Sequence, residues 1–157
     1  FRYWCFAKLF FTLEEIKMKI IVAVDGSKYT KKAVAYLCAN NELLGSDPSV
    51  QLLNVQAPLP PHVKRFLDEE TVNSYYDTEA KKALGPAEKL FKQQGVNVIT
   101  KTIVGHAAPE IVAYAKKQKA QMIVMGTHGH GALGRALLGS VAQKVVADSD
   151  MPVLLIQ

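Results

Sequence analysis

The sequence predicts an α/β protein with a doubly wound, five-stranded parallel sheet in the strand order 3-2-1-4-5. Short apolar runs alternate along the chain with segments of helical periodicity, a pattern that indicates successive βαβ units. The first run is continuously apolar and suits a strand buried on both faces, whereas the third alternates apolar and polar residues, as an edge strand does. The chain has 157 residues, of which 49% are hydrophobic, enough for one domain with a sizeable core.

Turn signals delimit the predicted elements. The five strands are predicted at 19–25, 50–55, 96–103, 122–125 and 152–156. The four helices are predicted at 28–41, 68–94, 109–118 and 140–147. Ser27 is placed to cap the first helix and Gly95 to end the second. Gly85-Pro86 is expected to kink or split the second helix, and the segment 57–61, which holds three prolines, is expected to form a surface loop.

The first 17 residues differ in character from the rest of the chain. They hold six of its 13 aromatic residues, and Met18 directly precedes the first strand. We expect residues 1–17 to be an N-terminal extension, either translated upstream sequence or an expression artefact, and residues 18–157 to form the domain. The segment is shorter than the roughly 20 apolar residues that span a bilayer. An amphipathic segment that docks on the protein or on a membrane surface is the alternative.

Charge and cysteine content narrow the class of protein. The formal net charge is +5, but the basic residues are scattered, so no nucleic-acid-binding stripe is predicted and no membrane partner is expected. A mild positive field would favour a polyphosphate ligand. Cys5 and Cys38 lack the spacing of a CxxC pair or of a metal site, and Cys38 is expected to be a buried small hydrophobe. This cysteine usage favours a reducing compartment, the cytoplasm.

The predicted strand order brings two polar turns together. Asp25 ends the first strand and Gly126 ends the fourth, and these strands are neighbours where the order reverses. Ligands of open α/β sheets bind at such a switch point, outside the carboxyl ends of the strands. The sequence therefore predicts a site between Asp25 and Gly126.

A glycine-rich loop follows the fourth strand with the spacing Gly-x2-Gly-x9-Gly-Ser, from Gly126 to Ser140. Glycine allows backbone N–H groups to approach phosphate oxygens, and the predicted helix start at Ser140 favours an anion. A turn that only links strand to helix is the weaker interpretation. His128 and His130 lack the further ligands that a closed zinc site needs, so no metal site is predicted and they are expected to line the pocket or face solvent.

From Met18 to Ile156 the chain resembles the universal stress protein family. The resemblance rests on KIIVAVDGS in the first strand and turn, on IVMGTHGHGALGRALLGSVAQKVV, and on PVLLI at the end. Because the loop glycines are kept, the chain is similar to the ATP-binding branch of that family. The resemblance implies a Rossmann-like fold of the adenine-nucleotide alpha-hydrolase-like group. It also implies ATP as the ligand, with Mg²⁺ or Mn²⁺ bound through its phosphates.

The resemblance also assigns ligand-binding roles. Ala23 and Asp25 would face the adenine and ribose, and Val55 would pair with the adenine edge through its backbone. Met125 and Gly126 would pack against the sugar. The phosphates would be held by four residues, which are Gly129, Gly139, Ser140 and Val141. Gln121 stands where the family usually has Asp, a departure that we expect to affect local capping and not binding.

The last strand is wholly apolar and lies at a sheet edge in the predicted order. Native proteins cover such edges, and pairing with the same strand of a second copy would do so. We therefore expect a homodimer joined through Val153 to Ile156, as the resemblance also implies.

Three functions compete at this stage. The first is an ATP-binding regulator of the stress response that hydrolyses little or no ATP and is not an enzyme. The second is a slow ATP hydrolase or another ATP-using enzyme of the same fold, although a Walker-type loop is absent and Asp25-Gly26-Ser27 is not the Ser-Gly-Gly-type turn of adenylating pyrophosphatases. The third is a receiver domain, which needs an acidic cluster after the first strand, where Asp25 stands alone.

Overall fold

The computed structural model describes residues 18–45, 47–130 and 138–157. The expected N-terminal extension, residues 1–17, lies outside the described residues. The strands are β1 (Lys19–Ala23), β2 (Ser49–Gln56), β3 (Val98–Val104), β4 (Met122–Gly126) and β5 (Val153–Ile156). The helices are α1 (Lys28–Ala39), α2 (Pro61–Lys64), α3 (Glu69–Gln93), α4 (Ala107–Lys117) and α5 (Ser140–Asp148).

The five strands form one parallel sheet in the order β3-β2-β1-β4-β5, which confirms the predicted topology. Parallel strands need crossover connections, and the helices supply them on both faces. Helices α1 and α3 pack on one face, whereas α4 and α5 pack on the other. The structure is therefore doubly wound, and β1 lies at its centre.

The core explains why β1 is a continuous apolar run. Ile20 and Val22 point into the cluster beneath α1 and α3, whereas Ile21 points into the cluster beneath α4 and α5. All three side chains have no exposed surface. Burying an aliphatic or phenyl side chain of this size contributes about 1.5–3 kcal/mol, so the central strand and Phe91 of α3, which is also fully buried, anchor the two layers.

Helix α3 corrects one expectation from the sequence. It runs unbroken from Glu69 to Gln93, so the expected split at Gly85-Pro86 is wrong. A proline disfavours the helical conformation of the residue before it because its ring meets that residue's Cβ, and glycine has no Cβ. The carbonyl of Lys82 loses its helical donor because Pro86 has no N–H, but both residues are exposed and water can bond to that carbonyl.

Smaller boundaries also differ from those predicted. Helix α1 ends at Ala39 and is followed by a separate 3₁₀ turn, Asn41–Leu44. Helix α4 begins at Ala107, two residues before Pro109, because an N–H is not needed in the first turn of a helix. Pro61 begins the short helix α2 and is not part of the loop, for the same reason.

Several end signals act as predicted. The Ser27 hydroxyl accepts a hydrogen bond from the Thr30 N–H and so caps α1. Gly95 follows α3 with a φ of +73°, a conformation that favours glycine. Gln121 caps the start of β1, since its Oε1 accepts the Lys19 N–H at 2.6 Å and its own N–H donates to the Lys19 carbonyl at 2.9 Å. No helix within 18–45, 47–130 or 138–157 is long and apolar enough to cross a membrane.

The two edge strands differ. Strand β3 is mostly exposed, and Ile99 keeps 60% of its surface accessible. In β5 all four residues are half-buried, although they are wholly apolar. An apolar strand of this kind at an open edge presents unpaired backbone groups together with apolar side chains.

Candidate functional site

A cavity of about 360 Å³ opens at the carboxyl ends of β1 and β4, at the switch point of the sheet. Its lining includes all nine residues for which the sequence predicted ligand-binding roles, namely Ala23, Asp25, Val55, Met125, Gly126, Gly129, Gly139, Ser140 and Val141. The strand order alone therefore brings residues from four separate parts of the chain to one place.

One end of the cavity is apolar. Leu53 and Val55 of β2 and Met125 of β4 line it from the sheet. Ala107 and Ile111, one helical turn apart on α4, line it as well. An apolar, partly enclosed surface of this kind suits a flat aromatic ring better than a charged group.

Asp25 stands at the polar end with its carboxylate held in place. Its Oδ1 accepts the Ser27 N–H at 2.9 Å and the Thr30 hydroxyl at 2.5 Å. Thr30 is buried in the first turn of α1, so the carboxylate is fixed to the start of that helix. These bonds occupy Oδ1 and leave Oδ2 on the side of Gly129.

Gly129 allows the loop after β4 to approach that carboxylate. A Cβ at position 129 would lie 2.7 Å from Asp25 Oδ2, closer than a real Cβ approaches another atom. The side-chain end of Asp25 could move aside only against the hydrogen bonds that hold its Oδ1. Glycine at 129 therefore keeps the carboxylate and the loop side by side.

Gly126 is required for a different reason. A Cβ there would lie 2.6 Å from the Cβ of Tyr29 and 2.9 Å from its carbonyl carbon. Gly126 lines the cavity as predicted, but its lack of a side chain serves the packing of β4 against the start of α1.

The start of α5 presents backbone donors. Among the residues that the structure describes, no acceptor pairs with the N–H groups of Ser140, Val141 and Ala142, and α5 has no side-chain cap. The N–H of Gly139, one of the expected phosphate ligands, donates to the Thr127 carbonyl at 2.8 Å. In this arrangement three N–H groups, and not that of Gly139, are available to an anion at the positive end of the helix dipole.

The two loop histidines are tied to neighbouring groups. His130 Nε2 lies 2.7 Å from the Asp25 carbonyl oxygen, which joins the loop after β4 to the turn after β1. His128 Nδ1 lies 3.0 Å from the Thr127 hydroxyl, and its ring centroid is 5.0 Å from that of Tyr29. Within the described ranges no three His, Cys, Asp or Glu residues come together as a metal cluster.

The described part of the cavity lining carries no lysine or arginine side chain that could balance phosphate charge. Lys144 is exposed on α5 and does not line the cavity, whereas Arg135 lies outside the described residues. The described wall therefore combines one carboxylate with three backbone donors.

Sequence reasoning did not identify every residue that lines the cavity. Ala107 and Ile111 come from a crossover helix whose apolar positions look like ordinary core positions, so only the crossover direction would have pointed to them. Thr30 could have been found, because a hydroxyl in the first turn of a helix is within reach of an acidic residue just before that helix.

The fold and the cavity together define a doubly wound α/β protein with a ligand-sized pocket at the switch point of its sheet. The sequence model of the universal stress protein family matches residues 18–157. The chain belongs to the universal stress protein family.

Relatives and solved structures agree with this assignment. The chain is 34% identical to a universal stress protein of Methanocaldococcus jannaschii over 92% of its own length and 84% of the relative's. It is 36% identical to one of Thermus aquaticus over 88% of its own length and 97% of the relative's. The solved structure of another Methanocaldococcus jannaschii universal stress protein is 29% identical, has a TM-score of 0.76, and is matched over 88% of this chain and 94% of that chain.

One further solved structure carries a ligand. The universal stress protein of Archaeoglobus fulgidus in complex with dAMP is 24% identical, has a TM-score of 0.62, and is matched over 90% of this chain and 99% of that chain. At this identity the likeness concerns the fold.

Proposed function

We propose that this protein binds ATP in the cavity at the switch point and acts as a nucleotide-dependent regulator in the stress response, with little or no hydrolysis. The observation that carries the proposal is the division of the cavity into an apolar end and an end with three backbone N–H groups at the start of α5 that have no acceptor among the described residues. A nucleotide has the same division, with an aromatic base at one end and phosphates at the other. The dAMP complex of a protein with this fold supports an adenine nucleotide as the ligand class.

The base belongs at the apolar end. Met125 and Ile111 offer apolar surface, and Val55 lies at the end of β2 beyond the last residue of β1. A backbone N–H and C=O that face the cavity can pair with the edge of a base, which carries adjacent donors and acceptors. Ala23 and Asp25 would then face the base and the ribose.

The phosphates belong at the start of α5. Ser140 and Val141 would donate backbone hydrogen bonds, each worth about 1.5–3 kcal/mol to a charged group, and Gly129 leaves room for the approach. Gly139 would contribute by close contact, since its N–H is engaged. Asp25 adds a negative charge beside the phosphates, so we propose that Mg²⁺ or Mn²⁺, bound through the phosphates, offsets the repulsion.

A regulator is favoured over an enzyme because both histidines near the cavity are engaged with neighbouring groups. His130 is engaged with the backbone of Asp25, and His128 with Thr127. Slow ATP hydrolysis is the second candidate function, because both histidines nevertheless lie on the loop that borders the cavity. We further propose a cytoplasmic homodimer joined through β5, whose apolar side chains and free edge suit pairing with a second copy.

The test is a calorimetric titration with ATP and Mg²⁺, combined with thermal unfolding. At a hundredfold excess over the dissociation constant, ATP should stabilise the wild-type protein by about 2.7 kcal/mol. Gly129→Ala should lose this effect, because its Cβ would lie 2.7 Å from Asp25 Oδ2 and fill the room that Gly129 leaves at the cavity. Gly105→Ala is the matched control, since its Cβ would meet only the flexible side chain of Glu110, away from the cavity. No heat and no thermal shift at millimolar ATP would refute the proposal.

A further inference from the structure

The backbone of β2 extends past the end of its neighbour at the cavity. Strand β1 ends at Ala23, which pairs with Leu53, whereas β2 continues to Gln56. Successive residues of a strand in a parallel sheet point their backbone groups alternately to the two neighbouring strands. Gln56 points towards β3, because its carbonyl accepts the Gly105 N–H at 2.8 Å. Val55 therefore points its N–H and C=O towards β1, where that strand has already ended.

A side chain occupies the place of the next ladder bond. The last bond between the two strands runs from the Val24 N–H to the Leu53 carbonyl at 2.8 Å. The next would run from the Val55 N–H to the Val24 carbonyl. That carbonyl instead accepts from Asn54 Nδ2 at 2.7 Å. Because a carbonyl oxygen can only accept, the atom facing it must be the amide nitrogen of Asn54.

We propose that Asn54 is a positioning residue that keeps the backbone of Val55 open for the base of the nucleotide, an inference that rests on the proposed function. Asn54 Nδ2 binds the Val24 carbonyl on the side that the Val55 N–H would approach, and the structure contains no bond between Val55 and Val24, so the ladder stays open at the edge of the cavity. The N–H and C=O of Val55 then form one donor and one acceptor side by side. The base edge of adenine carries the complementary pair, the N1 acceptor next to the N6 amine.

The burial of Asn54 favours this role over a purely structural one. Asn54 is only 4% exposed, and its Oδ1 has no hydrogen-bond partner among the described residues. A buried carbonyl without a hydrogen bond destabilises the fold. Leucine has a similar shape, would remove the unpaired oxygen, and would allow Val55 to complete the ladder. The amide therefore acts against local stability and in favour of an open strand edge.

The first measurement is amide hydrogen exchange in the nucleotide-free protein, read residue by residue by NMR. The Val55 amide should exchange far faster than the Leu53 amide, which lies within the ladder. In Asn54→Leu the Val24 carbonyl is free, so the Val55 amide should become protected. Asn54→Ala is the second variant and should show the same change. Protection of Val55 in the nucleotide-free wild-type protein would overturn the proposal, even if neither variant folds.

The second measurement is binding. Loss of one base contact should weaken ATP roughly 2- to 12-fold in Asn54→Leu. Tripolyphosphate, which has no base, should bind the variant and the wild-type protein equally. The matched control is Gln56→Leu, which removes an amide of the same strand that donates to the Tyr76 carbonyl at 2.9 Å. This control should leave both the Val55 exchange rate and ATP binding unchanged.

The two measurements separate the inference from the function on which it rests. A wild-type protein that binds no ATP but shows the expected exchange rates would contradict the proposed function alone. Unchanged exchange at Val55 in both Asn54 variants would overturn the role of Asn54, whatever the affinity for ATP. Equal weakening of ATP and tripolyphosphate would also overturn it, because the effect would then not come from the base.

Discussion

Gly126→Ala should destabilise the fold strongly, because the close contact at this position is with backbone. The added Cβ would lie 2.6 Å from the Cβ of Tyr29, 2.9 Å from its carbonyl carbon and 3.1 Å from the Thr30 nitrogen. Carbon atoms attract each other best at about 3.5–4.0 Å, so the overlap is close to 1 Å. No rotamer change can relieve it, since the first turn of α1 would have to move away from β4.

The expected magnitude lies at the upper end of the range for overpacked cores. Such substitutions cost about 1–3 kcal/mol, and we expect about 3 kcal/mol here. For a domain of this size, that loss lowers the melting temperature by about 6–12 °C. Thermal and urea unfolding followed by circular dichroism measure both quantities. The slope of the free energy of unfolding against urea concentration should be unchanged, because the same surface is exposed on unfolding.

The matched control is Gly105→Ala, which alters a glycine directly after β3, whereas Gly126 is the last residue of β4. Its Cβ would lie 2.8 Å from Glu110 Cγ, part of a side chain that can swing away. We expect a change within about 0.5 kcal/mol. If Gly126→Ala were no more destabilising than Gly105→Ala, the start of α1 would not pack on the end of β4 and the reasoning would be refuted.

Three further outcomes are expected for assembly, catalysis and pH. Sedimentation should show two chains per particle. Leu154→Lys in β5 should shift the protein to a monomer, whereas Ile99→Lys at the opposite, exposed edge should not, and a monomeric wild-type protein would exclude the β5 dimer. Phosphate release from ATP should be far below the usual enzyme range of about 1–1000 per second, and several turnovers per second that are lost in His128→Ala would favour the hydrolase. Hydrogen bonds from the Thr71 backbone and side chain lower the pKa of Asp68, the cap of α3, below its usual 3.8. The capping bond therefore stabilises the fold above pH 3.8, and this stabilisation is lost as the pH falls through the lower pKa of the folded state. Asp68→Asn should make the free energy of unfolding less dependent on pH in this acid range. An unchanged pH dependence would contradict the capping.

The topology could be predicted from the sequence because it depends on patterns that sequence carries directly. The apolar runs predicted the positions of the strands, and the alternating pattern of β3 predicted that it lies at an edge of the sheet. Local end signals such as Ser27 were also sufficient, since a cap involves residues three apart. Helix α3 was misjudged at Gly85-Pro86 because the usual rule treats each residue as a breaker separately, whereas glycine removes the clash that proline causes.

The sequence predicted residues that meet at one cavity, but it did not contain the structural reason for each glycine. Sequence reasoning assigned Gly126, Gly129 and Gly139 alike to the approach of a ligand. The structure gives them different neighbours: α1 for Gly126, the Asp25 carboxylate for Gly129 and the Thr127 carbonyl for Gly139. These neighbours are distant in sequence or depend on loop closure, so no local pattern contains them.

The bond between Thr127 and Gly139 has a consequence for how this protein can vary. The Thr127 carbonyl accepts the Gly139 N–H at 2.8 Å, and the Thr127 N–H donates to the Ile156 carbonyl at 2.9 Å. Thr127 and Gly139 are thus bonded to each other, and Thr127 is also bonded to the sheet. In general, doubling the length of a connection whose ends are held together costs only about 0.6 kcal/mol in closure entropy. We therefore expect the strands and the apolar half of the cavity to keep their positions when foreign sequence, such as a reporter peptide, is inserted between His130 and Leu138.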